Sequence, residues 1–393
     1  MRVLVAAACA ALCFAVPASA QDYRNPPPPS EEGVGNDFIR FKPFARAYSY
    51  YTTNLFQEPN NRKEEDVGFE LTAGGDVRVG GETDYLSLGY SATQLLFVKN
   101  PKQNTVTHQA RFNGEFNPSE IIKLSASGSA NWNATTTDPQ FRGRVRNFAG
   151  FGTAAIEVRP LETVGFLVEG EVVHNYNYPD AFQRLNTLTS RVGAFVILSP
   201  DLPGGLEVLV GSNWRQLHYV DHTATNPDYE FVSWQAGLRA ANDFVTMDVR
   251  GGYEVSWVVK RRGFSRRFDN PEGFFGTMSV TLTPNQTSTI TAFGTQAVSF
   301  SAASSSQRNT TLGINVDQKI PGFEQLHVFG SATWTHQDAR RATENRMQTY
   351  LLGAGYSPLE GLEVGIQSSY MRTSSRSGGF ETFETGIALS YSL

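Results

Sequence analysis

Apolar and polar residues alternate with a period of two over most of the chain beyond residue 38. Val67, Phe69, Leu71 and Ala73, for example, alternate with Gly, Glu and Thr. In a β-strand such alternation puts successive side chains on opposite faces, whereas an amphipathic helix repeats every 3.6 residues. The helical period is not sustained anywhere in this part of the sequence. The pattern therefore predicts one all-β domain over residues 38–393.

The connections between the alternating runs are short and long in turn. One short corner recurs, as "NPSEIIKLS" from Asn117, "RPLETVGFLV" from Arg159 and "SPLEGLEVG" from Ser357, while the long connections are more polar. Counting strands between the connections gives about 18, of roughly 11–15 residues each, with about 16 as the alternative. This layout predicts a transmembrane up-and-down antiparallel β-barrel, with short periplasmic turns and longer extracellular loops.

The first 37 residues differ from the rest. Arg2, the apolar run from Val3 to Val16 and "ASA" before Gln21 predict a signal peptide over residues 1–20. Residues 21–37, "QDYRNPPPPSEEGVGND", predict a flexible Pro-rich periplasmic tether. Both cysteines fall inside the predicted signal peptide, so the mature chain would contain no thiol.

Composition narrows the possible functions. The net charge of −5 is not the basic excess typical of nucleic-acid-binding proteins, so no nucleic-acid partner is expected. Mean hydropathy is −0.31, and no run beyond the signal peptide approaches the roughly 20 apolar residues of a membrane helix. A barrel remains compatible with these values because its strands alternate apolar and polar residues.

The tryptophans support the barrel. All five occupy the alternate strand positions that are mainly apolar, and all lie near the long connections. This predicts an aromatic girdle at the outer membrane interface. They are Trp132, Trp214, Trp234, Trp257 and Trp334.

The strand positions between the apolar ones, which lie on the other face of the sheet, carry charged residues of both signs among Ser, Thr, Asn, Gln and Gly. A charge facing lipid costs about 2–4 kcal/mol near the bilayer midplane, so these positions predict a wet lumen with weak ion selectivity. No inward aromatic track is expected. The pore-lining candidates are Arg111, Glu115, Glu169, Glu171, Arg191, Arg215, Arg239, Asp248, Arg250 and Glu254.

One predicted extracellular loop is strongly basic. Its charges could bind lipopolysaccharide or an acidic polymer specifically, or could form a solvated loop that holds lipopolysaccharide generically. The residues are Lys260, Arg261, Arg262, Arg266 and Arg267.

His218 and His222 flank Asp221 and form the one tempting metal or catalytic set. In a strand, residues i and i+4 lie about 13 Å apart, too far to bind one ion. Neither a metal, a cofactor nor an enzymatic activity is therefore expected.

The opening of the domain, "YSYYTTNLFQEPNNRKEEDVGFELTAGGDVRV" (residues 48–79), and "LFVKNPKQNTVTHQARFNGEF" (residues 96–116) resemble the β-barrel porins of the second type. Members of that family often accompany exopolysaccharide or capsule machinery. The resemblance implies a wide conduit that exports a surface polysaccharide together with a periplasmic export protein.

The residues themselves leave other functions open. A polar lumen of mixed charge equally fits a general diffusion porin for small hydrophilic solutes, and a filled barrel would only anchor surface structures. A hydrolase active at the barrel rim is a further alternative. All of these place the protein in the outer membrane, with both termini periplasmic and with membrane lipids and lipopolysaccharide as neighbours. The final strand, "ETGIALSYSL", is of the kind that the barrel-assembly machinery inserts.

Overall fold

The computed structural model describes most of the chain beyond residue 33. The described residues are 34–36, 38–56, 60–81, 83–137, 144–178, 186–200, 205–220, 227–259, 272–300, 306–339, 345–375 and 378–393. The predicted signal peptide and most of the predicted tether lie outside them. No helix in the described ranges is long and apolar enough to cross a bilayer.

Eighteen long strands and one two-residue strand, β1 (Val34–Gly35), make up one sheet. The long strands are β2 (Ile39–Thr52), β3 (Asp66–Gly80), β4 (Tyr85–Phe97), β5 (Thr105–Ser119), β6 (Ile122–Thr137), β7 (Arg144–Leu161), β8 (Val164–Asn177), β9 (Thr187–Leu198), β10 (Glu207–Tyr219), β11 (Tyr229–Ala241), β12 (Val245–Val258), β13 (Gly273–Asn285), β14 (Ser288–Phe300), β15 (Ser306–Ile320), β16 (Phe323–Ala339), β17 (Asn345–Leu359), β18 (Leu362–Ser375) and β19 (Phe380–Ser392). Two short 3-10 turns lie in the connections, at Asn60–Arg62 and Pro101–Gln103.

Each long strand pairs antiparallel with its neighbours in sequence, and β19 pairs with β2 to close the sheet. The prediction of an up-and-down barrel of about 18 strands is therefore confirmed, and the alternative of 16 strands is wrong. Short and long connections alternate around the barrel as predicted except between β9 and β10, where residues 199–206 form a longer connection at the end that carries the short turns.

The seam between the first and last long strands has no free edge. Register runs from Thr52 opposite Glu384 to Phe44 opposite Ser392. Beyond it at the short-turn end, β1 pairs with the start of β2. At the other end, the Thr53 N–H donates to the Phe383 carbonyl over 2.9 Å. Covering both edges protects a barrel from pairing with other chains.

The recurring proline corner has a specific structural cause. In four hairpins the strand entering the turn has two residues opposite one, so the register shifts just before a two-residue turn. The second of the two bulged residues is a proline each time. Proline has no N–H to give to the ladder, and a bulge is where a strand tolerates that loss. The four residues are Pro118, Pro160, Pro284 and Pro358.

The two faces of the sheet differ in polarity. Apolar side chains on the outer face remain exposed, including Leu71, Leu88, Ile314 and Ile387 at between 44% and 61% of their surface. Their neighbours in sequence face the interior and are largely polar. An apolar exterior around a polar interior is the arrangement a membrane barrel requires.

Candidate functional site: the inner wall of the barrel

The structure places the ten predicted pore-lining residues on the inner face of the sheet, where they are partly or fully buried. Glu171, Arg215 and Glu254 are exposed by no more than 8%. Arg111 contributes a salt bridge to Asp76, and Glu115 pairs with Lys123 over 2.7 Å. Whether these residues line a conducting path stays a prediction.

Among the described residues, two ion pairs join strands that have three other strands between them. Arg250 Nη1 on β12 lies 3.1 Å from Glu169 Oε2 on β8, and Arg239 Nη2 on β11 lies 3.2 Å from Glu157 Oε2 on β7. In each case three strands separate the partners, or about 19 Å along the sheet at the usual strand spacing. The side chains can therefore meet only across the concave inner face, and they narrow the lumen on that side.

The pair formed by Arg239 and Glu157 belongs to a four-membered ring near the short-turn end. Arg159 contacts Glu157 and Glu207 over 2.5 Å each, and Arg239 Nε lies 2.6 Å from Glu207. Sequence reasoning named only Arg239 of these four. Glu157 and Arg159 lie in the inward phase of β7, so the period of two carried the signal that would have found them.

Arg250 belongs to a second group, near the middle of the strands. Arg191 Nη2 lies 2.8 Å from Glu169 and 3.1 Å from Glu171. Arg215 Nη2 lies 2.6 Å from Glu254, and its guanidinium stacks 3.7 Å from the ring centroid of Phe231. These contacts are charge-assisted, which makes them stronger than neutral hydrogen bonds.

We call the inner face of β7 to β12 the charged wall. Among the side chains that the structure describes there, five arginines face six carboxylates, a formal net charge of −1, and each arginine contacts at least one carboxylate. The residues are Arg159, Arg191, Arg215, Arg239, Arg250, Glu157, Glu169, Glu171, Glu207, Asp248 and Glu254. Because the charges are matched, little net field remains to attract ions of one sign.

We call the inner face of β13 to β18 the neutral wall. Its described charged groups lie close to the short turns, where His327 sits between Asp317 and Glu363 at 3.1 and 3.4 Å. Between these groups and the long-loop end, the wall carries hydroxyl and amide side chains. Thr281 pairs with Thr291 over 3.0 Å and Thr311 with Thr335 over 3.2 Å across neighbouring strands.

Aromatic rings also occupy the inner face, although no inward aromatic track is expected from the sequence. Tyr48, Phe231 and Phe329 are examples, each no more than 1% exposed. Phe329 lies flat over Gly353, where a Cβ would come within 2.2 Å of the ring. Glycine is therefore needed at this close approach, and the ring fills the wall instead of projecting into the lumen.

The five tryptophans lie on the outer face. Trp132, Trp214, Trp234 and Trp257 are 38–57% exposed, and Trp334 is half-buried. Aromatic neighbours accompany them, as where the Trp132 and Phe148 rings lie 5.5 Å apart. These positions fit the girdle that the sequence predicts, and a membrane-interface role for them stays a prediction.

The long-loop end has a recurring clamp that the sequence analysis missed. The buried Asp66 carboxylate accepts hydrogen bonds from the backbone N–H groups of Val67, Lys99 and Asn100. Asp228, just before β11, accepts one from the Tyr219 N–H at the end of the preceding strand β10. An Asp at or just before the start of a strand thus satisfies backbone donors at the end of a neighbouring strand, the following one for Asp66 and the preceding one for Asp228.

In the loop before Asp66, Glu65 is exposed. Lys99 Nζ donates to it over 2.8 Å and the Tyr51 hydroxyl over 2.5 Å. The Lys99 hydrogen bond, followed by that from Tyr51, holds the pKa of the Glu65 carboxyl below its ordinary value.

Of the histidine set considered in the sequence, only His218 lies within the described residues. His218 Nδ1 lies 2.7 Å from Asp228 Oδ2, whereas Asp221 and His222 lie outside the described residues. The five basic residues from Lys260 to Arg267 also lie outside them. Within the described ranges no group of three or more His, Cys, Asp or Glu side chains could hold a metal ion.

A closed barrel of 18 antiparallel strands, apolar outside and polar inside, defines an outer-membrane β-barrel of the porin type. No family model matches the sequence, and no curated protein matches it. The resemblance to the β-barrel porins of the second type and its link to polysaccharide export therefore stay predictions.

Solved structures of Pseudomonas aeruginosa outer-membrane proteins are similar in fold. OccK2 (OpdF), crystallised in complex with glucuronate, aligns with a TM-score of 0.48 at 11% identity, over 91% of this chain and 99% of its own. OccK9 (OpdG) gives 0.47 at 10% identity, over 90% and 98%. OpdO gives 0.44 at 12% identity, over 91% and 98%.

Proposed function

We propose that the protein is a diffusion porin for small hydrophilic solutes. The observation that carries the proposal is the inner face: it is largely polar, charge-matched over β7 to β12 and narrowed there by the ion pairs of Arg250 with Glu169 and Arg239 with Glu157. A barrel of this strand number is wide enough for an aqueous channel. Side chains that reach across part of it leave room for small solutes.

Export of a surface polysaccharide, the function implied by the family resemblance, fits this interior less well. A polymer conduit needs an unobstructed bore, whereas the ion pairs of the charged wall project into the lumen. An anchoring barrel without transport would need no polar, hydroxyl-rich neutral wall. The inner face therefore supports diffusion over both alternatives, and diffusion requires no catalytic residue or cofactor.

The proposal includes an orientation and neighbours. The short turns, β1 and the last residue of the chain lie at one end, where the Leu393 N–H donates to the Pro43 carbonyl over 3.1 Å. We place this end in the periplasm, as short turns are periplasmic in such barrels. The long-loop end then faces outward, with lipopolysaccharide around it, after insertion by the barrel-assembly machinery. No periplasmic export protein is needed for diffusion.

Planar-bilayer recording of the purified full-length protein tests this function. We expect stable, ohmic single-channel steps in KCl with a reversal potential close to zero in a salt gradient, because the lumen charges are matched. A deletion strain should take up small solutes more slowly and secrete surface polymer normally. Absence of any open channel, or loss of secreted polymer with unchanged permeability, would contradict the proposal.

A further inference from the structure

We infer that this barrel favours neutral polyhydroxylated solutes of sugar size over charged solutes of the same size. The inference deepens the proposed diffusion function and rests on it. It follows from two chemically different, adjoining parts of one inner face, the charged wall and the neutral wall.

The neutral wall has accessible hydroxyls whose hydrogen-bonding sites are only partly occupied. Thr311, Thr333, Thr335 and Thr349 form a contiguous inner patch on β15 to β17, and all four are half-buried. A hydroxyl has one donor and two acceptor sites. The contact between Thr311 and Thr335 uses one donor, so acceptor sites remain for a permeating hydroxyl.

The charged wall offers fixed donors and acceptors side by side. Arg191 Nη2 lies 2.8 Å from Glu169 and 3.1 Å from Glu171, and the Arg191 and Glu169 side chains keep 21% and 15% of their surface exposed. A sugar hydroxyl can accept from a guanidinium N–H and donate to a carboxylate, so it can bind such a pair without separating it.

A charged solute gains less from the same wall. An anion must compete with carboxylates already 2.6–3.2 Å from the arginines, and a cation must compete with those arginines. The neutral wall supplies no described charge above the short-turn end to compensate either ion, and on the remaining strands the Arg111 guanidinium is likewise already paired with Asp76. Neutral molecules with many hydroxyls therefore match both walls, whereas ions match neither.

Swelling of liposomes that contain the full-length protein tests the inference. With a neutral hexose and a singly charged sugar acid of the same size as probes, we expect faster entry of the hexose. The variant T311V/T333V/T335V/T349V keeps the shape of the patch and removes its hydroxyls. It should slow hexose entry at least about fivefold, since one hydrogen bond is worth roughly that factor, with KCl conductance nearly unchanged.

Thr310→Val is the matched control, because Thr310 is next to Thr311 on β15 but lies on the outer face. It should leave hexose entry unchanged. A wild-type barrel that conducts KCl yet excludes the hexose or admits the sugar acid faster would overturn the inference and leave the diffusion function standing. So would a fourfold variant that admits the hexose at the wild-type rate. A barrel with neither conductance nor swelling would overturn the diffusion function itself.

Discussion

Replacing Arg239 and Arg250 together by alanine is expected to raise single-channel conductance and to make the pore cation-selective. The double variant removes the two described ion pairs that span three intervening strands. It also changes the net charge of the charged wall from −1 to −3. With two positive charges removed from a confined lumen, we expect the cation-to-anion permeability ratio to rise at least about threefold.

Three of the four carboxylates left behind keep another arginine, and the fourth, Asp248, has 37% of its side chain exposed to water, so the barrel should still fold. Glu169 retains Arg191 at 2.8 Å, and Glu157 and Glu207 retain Arg159 at 2.5 Å. Reversal potentials and step conductances in planar bilayers give the two quantities. Arg372→Ala provides the control, as Arg372 is an exposed arginine on the outer face. If the double variant behaved like this control, the side chains would not border the ion path.

Placing an arginine on the outer face of β15 should strongly destabilise the barrel, whereas one on the inner face should not. Ile314 is 44% exposed on the apolar exterior near the middle of its strand. Ile314→Arg should lower the free energy of unfolding in lipid vesicles by about 2–4 kcal/mol. Thr311→Arg, on the inner face three residues away, should cost less than about 1 kcal/mol, because its charge enters water.

Urea unfolding in vesicles, followed by tryptophan fluorescence, measures both variants on one scale. Thr311→Arg should also shift the reversal potential towards anions, a readout that Ile314→Arg cannot produce from the lipid side. Equal costs for the two substitutions would mean that the faces of β15 are not lipid and water.

Patterns within single strands and hairpins predicted the barrel well, because neighbouring residues in the sequence determine both the face of each side chain and the position of each turn. Alternation along a strand assigns each residue to a face, and the corners at Pro118 and Pro358 marked the hairpins, since a bulge is where a strand accepts proline. The same alternation predicted that the side chains of Arg250 and Glu169 face the interior.

Contacts that depend on curvature were not predictable in this way. Glu169 and Arg250 are 81 residues and three intervening strands apart, and nothing in either strand indicates that they meet. The Asp66 clamp depends on how a loop returns to the neighbouring strand, which alternation does not encode. Flat aromatic packing, as with Phe329 over Gly353, needs the register between strands as well as the phase within each.

Single-cysteine modification along β15 tests most directly whether the inner face borders an open aqueous path. Both natural cysteines lie within residues 1–20, so a mature chain cleaved after residue 20 provides a thiol-free background. Cysteines replace Asn309 and Thr311 on the inner face, and Thr310 and Leu312 on the outer face. A charged thiol reagent added during bilayer recording should change the current at positions 309 and 311 and leave it unchanged at 310 and 312. A response at the even positions, or none at the odd ones, would contradict the account.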